Sequence, residues 1–209
     1  MILDELIGPS RPLTWVLRFW PVLVTSFTVA FGATWLCKKV AIKFNIVDKP
    51  DNLVKTHKEP IAYLGGLGIL AGLIVGCAAG VERLIGQEYF HDSFKWLCGI
   101  LAGATIACIV GLVDDIFDIK PRQKLLGQIV AAALLIVVGI GPNLDYLADY
   151  FGFTIPSGIE IALEAFIVVF FVLGATNSLN LLDGLDGLCG GVTAIITIAM
   201  LIVSVHLAT

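Results

Sequence analysis

Charge is what this sequence has least of. Only 14% of its 209 residues are Asp, Glu, Lys or Arg, where soluble domains carry about 25%. So few charged side chains, gathered in a few short stretches, cannot coat a globule of this length, which excludes a water-soluble enzyme. Basic residues are scarcer than acidic ones, 13 against 17 for a net charge of -4, which excludes a basic nucleic-acid binder. The five cysteines show no C-x-x-C spacing and fall mostly inside apolar runs, so they indicate neither a disulfide scaffold nor a metal site. Internal repeats, low-complexity tracts and composition shifts are also missing, so residues 1–209 read as a single domain. No small-residue cleavage site follows the first apolar run, which reads as a retained span and not a signal peptide.

What the chain has in quantity is apolar surface: 58% of its residues are hydrophobic, which excludes disorder. A helix crossing the bilayer needs about 20 predominantly apolar residues. Six charge-free runs approach that length: Phe19 to Cys37, Ile61 to Val81, Trp96 to Val113, Leu125 to Leu144, Ala165 to Leu182 and Leu188 to Thr209. The fifth helix is placed from near Ile159 to near Thr176. The expected fold is all-α, a polytopic membrane helix bundle of about six transmembrane helices.

Orientation follows from the basic residues. Lys38, Lys39, Lys43, Lys49, Lys55 and Lys58 lie between spans one and two, and Lys120, Arg122 and Lys124 between spans three and four. Arg11, Arg18, Arg83 and Lys95 fall on the other side. The positive-inside bias then puts the N-terminus outside and the connections after spans one, three and five in the cytoplasm. Trp15, Trp20, Tyr89, Trp96, Tyr146 and Tyr150 on the outer side suit the headgroup level. The outer connection from Asn143 to Gly158 mixes aromatic, acidic, Gly and Pro residues and is expected to form a small hairpin.

Ionisable residues at span ends are functional candidates by default, because charge near hydrocarbon is costly. Three clusters qualify, all on the expected cytoplasmic face. The first runs from Asp48-Lys49-Pro50-Asp51 through Lys55, His57 and Lys58 to Gly65-Gly66. It reads either as a plain positive-inside loop or as an anion site, with Lys and His holding a diphosphate and the glycines admitting it to a helix N-terminus. The second, Gly111-Leu112-Val113-Asp114-Asp115-Ile116-Phe117-Asp118, ends the third span. Its adjacent carboxylates repel each other and are costly to desolvate, which a bound divalent cation cures; alternatively they cap the boundary, paired with Lys120, Arg122 or Lys124. In the third, Asn177, Asn180, Asp183 and Asp186 recur every third residue with Leu between most of them. Neighbours in that series share a face in an α-helix, and all four nearly align in a 3₁₀ stretch. The result is a polar wall of hard oxygen ligands for Mg²⁺ and acceptors for a nucleotide or sugar, or else a plain Asn/Asp/Gly turn. The small Gly68 and Gly72 favour close helix packing, and His91 and His206 read as exposed or packed.

With these residues the chain resembles the polyprenyl-phosphate N-acetylhexosamine-1-phosphate transferases, membrane enzymes that start bacterial cell-envelope glycans. The resemblance rests on DKPDNLVKTHKEPIAYLGGLGIL (Asp48 to Leu70), GLVDDIFDIKPRQKLLGQ (Gly111 to Gln128) and NSLNLLDGLDGLCGG (Asn177 to Gly191), and covers nearly the whole chain. The sister enzymes that transfer phospho-N-acetylmuramoyl-pentapeptide read TPTMGG where this chain has Pro60-Ile61-Ala62-Tyr63-Leu64-Gly65-Gly66, which favours the branch using UDP-GlcNAc or a related sugar. The resemblance implies attack by undecaprenyl phosphate on a UDP-N-acetylhexosamine with release of UMP. It implies catalytic roles for Asp114, Asp115, Asp183 and Asp186, with Mg²⁺ or Mn²⁺ held by ligands from Asp114, Asp115, Asn180 and Asp183. Lys55, His57, Lys58, Gly65, Gly66, Asn177, Asn180 and Asp186 are the expected substrate residues, Asp186 near the nucleotide. Expected partners are the two substrates and the lipid bilayer of the bacterial cytoplasmic membrane, with no nucleic acid and room for a homodimer. The family continues to ten or eleven spans, with a later Gly-Asp-x-Gly-Ser motif and a His-rich loop, so the 209 residues are expected to be an amino-terminal portion and inactive alone. An ion-coupled transporter, a CDP-alcohol phosphatidyltransferase and a structural membrane subunit are the competing readings. A transporter predicts carboxylates nearer span centres and an inverted repeat, and a phosphatidyltransferase a different continuation after Asp183-Gly184.

Overall fold

The computed structural model describes residues 12–48, 60–82, 85, 90–184 and 187–207. Seven helices occupy most of them: α1 (Pro12–Lys43), α2 (Gly65–Val81), α3 (Phe90–Phe117), α4 (Pro121–Val137), α5 (Leu144–Phe151), α6 (Ser157–Leu182) and α7 (Leu188–Leu207). The helical bundle expected from composition is what forms. Three stretches are long and apolar enough to cross a membrane, Phe19–Phe44, Ser93–Phe117 and Ser157–Leu182, while Gly65–Val81 and Leu188–Ser204 are apolar but shorter. The fourth expected span is cut short: α4 has 17 residues and ends at Val137. Gly139 takes a left-handed backbone (φ 83°) just beyond it, and Pro142 follows, so the apolar run to Leu144 is not one helix.

Burial is inverted relative to a soluble protein. The buried apolar residues are mostly small (Ala41, Ala131, Ala132 and Ala148, with Leu64 and Val168), whereas Phe27, Phe31 and Phe170 are 70%, 71% and 61% exposed. Hydrocarbon supplies no drive to hide large apolar side chains, so helices in a membrane meet through small ones and turn large ones to lipid. This chain is a membrane protein. Gly68, Gly72 and Gly76 are buried along one side of α2, and a Cβ on Gly72 would stand 2.5 Å from the Ala30 Cβ and 2.8 Å from the Ser26 carbonyl oxygen. Opposite them α1 offers the small Ser26, Ala30 and Thr34, four residues apart, so the antiparallel backbones approach closely. The Ser26 hydroxyl donates to the Gly72 carbonyl at 2.9 Å. The packing role expected of these glycines is borne out. Helices α3 and α4 pair in the same manner, with Gly103 facing Ala131 and Leu135.

Two local features depart from expectation. The connection 143–158 contains a helix instead of a hairpin. Asn143 caps α5 by accepting from the Tyr146 N–H at 2.8 Å, the Glu164 carboxylate accepts from the Leu144 N–H at 3.1 Å, and Gly152 (φ 74°) closes its C-terminus. Capping at both ends outweighs the alternating pattern that suggested strands. Conversely, an otherwise all-α chain has a two-stranded antiparallel ribbon, β1 (Val47–Asp48) with β2 (Ile61–Ala62), pairing Val47 with Ala62 and Asp48 with Ile61. It follows the end of α1, where Asn45 takes a left-handed conformation (φ 59°), and leads directly into α2.

Candidate functional site

The polar site forms where α3, α4, α6 and the ribbon end together. Helix α3 carries Asp114 and Asp115 in its last turn, a little inside its end at Phe117. Asp118 then turns the chain with φ 48°, a left-handed conformation Asp tolerates better than most residues. Three residues later α4 begins at Pro121, whose missing N–H costs nothing in a first turn, and the Gln123 side chain reaches back to the Lys120 N–H at 3.0 Å. This tight reversal sends Lys124 back along α3.

There the Lys124 ammonium meets Asp114, with Nζ 2.6 Å from Oδ2. It also donates to Asn180 Oδ1 on α6 at 3.0 Å. One side chain thus joins the second and third clusters. Both members of the ion pair are about one-fifth exposed (18% and 20%), shielded enough that the pair counts for more than a surface salt bridge. Of the boundary pairings open to the two carboxylates, the structure makes the one with Lys124. Asp115 is exposed beside Asp114 and lies within electrostatic range of Asp114, Lys124, Asp183 and Asp48. Asp48 in turn accepts a hydrogen bond from the Tyr63 hydroxyl at 2.9 Å across the ribbon. Carboxylates from all three clusters therefore share one end of the bundle, and among the described residues Lys124 is the cation acting on Asp115 there.

A second polar contact lies one turn deeper. Gln128, 4% exposed, is the one buried polar side chain among the described residues. Its Oε1 accepts from Asn177 Nδ2 at 2.9 Å and its Nε2 donates to Asn177 Oδ1 at 3.5 Å. Asn177 Nδ2 donates also to the Leu173 carbonyl at 2.8 Å. An amide left unpaired in such surroundings would cost about 2–7 kcal/mol. Because α6 is α-helical through Leu182, Asn177, Asn180 and Asp183 step round the helix by about 60° per member and do not line up as they would in a 3₁₀ stretch.

Of the expected site residues, the structure brings Asp114, Asp115, Asn180 and Asp183 together and sets Asn177 beneath them. Gly65 and Gly66 open α2 two and three residues after Tyr63, and a Cβ on Gly66 would touch the Cys108 sulfur on α3 at 3.7 Å. Lys55, His57, Lys58 and Asp186 lie outside the described residues. Tyr63 and Gln128 were not singled out by sequence, whereas Asp48 stood at the head of the first cluster. Lys124 left a signal there, as one of three cations following the acidic pair.

Whether a divalent cation fits can be judged from the donors. Among the described residues no three His, Cys, Asp or Glu side chains form a ready-made metal cage. The carboxylate oxygens that the described residues gather there nonetheless match Mg²⁺, which takes one or two carboxylates and completes its shell with water and substrate phosphate. Asp114 and Asn180 are occupied with Lys124, so Asp115 and Asp183 are the pair open to that role.

The family model for glycosyl transferase family 4 matches residues 97–209, which contain both acidic clusters and Lys124. The chain belongs to that family. It is 29% identical over 182 residues to a probable undecaprenyl-phosphate N-acetylglucosaminyl 1-phosphate transferase of Bacillus subtilis, covering 86% of this chain and 46% of the relative. It is 32% identical over 175 residues to the undecaprenyl-phosphate alpha-N-acetylglucosaminyl 1-phosphate transferase of Yersinia pestis, covering 83% and 44%. With the decaprenyl-phosphate N-acetylglucosaminephosphotransferase of Mycolicibacterium smegmatis it shares 28% over 189 residues, covering 88% and 44%. The chain spans just under half the length of each of these three relatives. No solved structure matches it. The resemblance read from the three motifs is thus confirmed at the level of family.

Proposed function

We propose that this chain contributes the nucleotide-sugar and metal face of an enzyme that moves N-acetylhexosamine 1-phosphate, with GlcNAc the favoured sugar, from a UDP-sugar to undecaprenyl phosphate. The observation carrying this reading is the Lys124 bridge from Asp114 to Asn180, which fuses two separate motifs of a glycosyl transferase family 4 chain into one charged site at the end of membrane helices. In the reaction an oxygen of the lipid phosphate attacks the β-phosphorus of the UDP-sugar. The bond from that phosphorus to the bridging oxygen breaks, and UMP leaves with the bonding pair.

Phosphoryl transfer depends on positioning and on neutralising charge that develops on phosphate oxygens. Mg²⁺ would supply that neutralisation, held by Asp115 and Asp183. Lys124 places a positive charge beside the site, and Asn180 and Asp114 fix where that charge stands. A phosphate monoester has a second pKa of about 6, so the lipid nucleophile is ionised at neutral pH and Asp114 and Asp115 have no proton to remove. Gly65 and Gly66 open a helix whose first N–H groups have no side-chain cap from Leu64, a surface suited to phosphate oxygens. The positive-inside bias of the basic residues supports a cytoplasmic position for this face, where a soluble nucleotide would meet a lipid phosphate at headgroup depth.

The test is to express the full-length protein in membranes and supply undecaprenyl phosphate with radiolabelled UDP-GlcNAc, UDP-GalNAc or UDP-MurNAc-pentapeptide. Lipid-soluble label with released UMP, both requiring Mg²⁺, is the expected result. Reaction with the pentapeptide substrate alone would move the chain to the sister branch. Reaction only with a CDP-activated donor would overturn the assignment.

A further inference from the structure

The deeper amide pair has no place in the chemistry above, yet it holds Gln128, the buried polar side chain among the described residues. Lys124 and Gln128 stand four residues apart on α4, and Asn180 and Asn177 three apart on α6. Lys124 contacts Asn180 and Gln128 contacts Asn177, so the two antiparallel helices are joined by two polar rungs on one seam. Of the two, Lys124–Asn180 is the more exposed, and in Gln128–Asn177 one amide is buried and the other half-buried. Both N–H bonds of the Asn177 amide have acceptors within the protein, Gln128 Oε1 and the Leu173 carbonyl, and its oxygen faces Gln128 Nε2. Nothing of that amide is left to donate to a substrate.

We propose that Gln128 and Asn177 are positioning residues: an amide clasp that sets the register of α6 against α4 and so holds Asn180 where Lys124 can span it and Asp114. A slip of one residue along α6 would turn its face by about 100° and shift it by about 1.5 Å. That movement carries Asn180 away from Lys124 and leaves the buried Gln128 amide and the half-buried Asn177 amide without each other, so the clasp selects one register over its neighbours. The buried residues of α4 besides Gln128 are the small Ala131 and Ala132, which offer little shape of their own to fix a register. Asn177, expected from sequence among the substrate residues, then acts on the reaction through Asn180 and not by touching substrate.

The inference rests on the transferase reading only for its kinetic readout, and its structural readout does not need activity. In a cysteine-free version of the full-length protein, Lys124→Cys with Asn180→Cys would be joined by a short bifunctional thiol reagent in native membranes. Gln128→Met, similar in length but unable to form the amide pair, should slow that cross-linking roughly tenfold, and the exchange Gln128→Asn with Asn177→Gln should bring it back to within about twofold. In the enzyme retaining Lys124 and Asn180, Gln128→Met should lower kcat with little change in the KM for the UDP-sugar, and the exchange should restore kcat. Cross-linking unaffected by Gln128→Met, or a loss that the exchange fails to repair, would overturn the proposal. Should Gln128→Met fail to insert, the exchange decides alone: cross-linking near the parent rate supports the clasp and its loss refutes it. A parent protein without transferase activity would sink the proposed function and leave the cross-linking result standing.

Discussion

Replacing Lys124 by Met separates two roles that a lysine beside carboxylates can play. If it acts as the counter-charge of the acidic site, its removal takes the cation away from the described charges acting on Asp115, leaving Asp114, Asp183 and Asp48, and makes the surroundings one unit more negative. A divalent cation at Asp115 and Asp183 should then bind more tightly. Two unit charges at 4 Å interact by about 1 kcal/mol in water and about 4 kcal/mol at an effective dielectric constant of 20. Asp115 is exposed, and a cation held there would lie farther from Nζ than Asp114 does, so a gain of about 1–2 kcal/mol is reasonable even for a doubly charged ion, roughly 5- to 30-fold in affinity. Turnover should move the opposite way and fall by about two orders of magnitude, because a positive charge near the transferring phosphate is gone. Titrating full-length protein in detergent with Mn²⁺, and reading the free ion by electron paramagnetic resonance, gives the affinity directly. Lys124→Arg should leave it near the parent value, and raising salt should shrink the difference between Met and Lys. An Mn²⁺ affinity unchanged or weakened in Lys124→Met would refute the counter-charge argument whatever happens to turnover.

Three further outcomes follow from named contacts. Gly72→Leu drives a side chain into the α1 backbone at Ser26 and Ala30 and should cost about 1–3 kcal/mol, lowering the thermal midpoint of the detergent-solubilised protein by roughly 2–10 °C; an unchanged midpoint would mean that α1 and α2 are not packed this closely. Tyr63→Phe removes the hydroxyl that holds Asp48 and should reduce turnover several-fold while leaving insertion intact, measured by the lipid-label assay on matched amounts of membrane protein. For topology, single cysteines at Ile119 and Thr154 should react with an impermeant thiol reagent only from the cytoplasmic side and only from outside, respectively; the reverse pattern would invert the orientation deduced from the basic residues.

Much of the fold was legible because membrane helices announce themselves by length and apolar content. The places that were not legible are those where a few residues decide the ends. Charge-free runs stop where charge begins, whereas helices stop where backbone conformation changes, so α3 runs through Asp114 and Asp115 to a left-handed Asp118 and α4 halts before Gly139 in the middle of an apolar run. The helix α5 was hidden for a related reason. Its Asn143 cap could have been read locally, but the Glu164 carboxylate that receives the Leu144 N–H comes from 20 residues away. The ribbon pairing Val47 with Ala62 was equally hidden, since strands of two residues have no periodicity to detect and their partners are separated by the long segment between α1 and α2.

The site shows the same division between local and distant information. Asp114, Asp115, Asn180 and Asp183 stood out because hard oxygen donors are costly at the edge of hydrocarbon and are not expected there without a task. What joins them did not stand out. Lys124 looks in sequence like any positive-inside residue, one of three close together, and only the reversal at Asp118 and Pro121 decides that it, and neither Lys120 nor Arg122, returns to Asp114. Gln128 is harder still, the last polar residue before the apolar part of α4, whose meaning depends on Asn177 standing 49 positions later on a neighbouring helix. A chemical group can be recognised from its own cost of burial, but the partner that offsets this cost is a property of the fold. For that reason the candidate polar groups of a membrane site can be picked from a single sequence well before the residues that hold them in place.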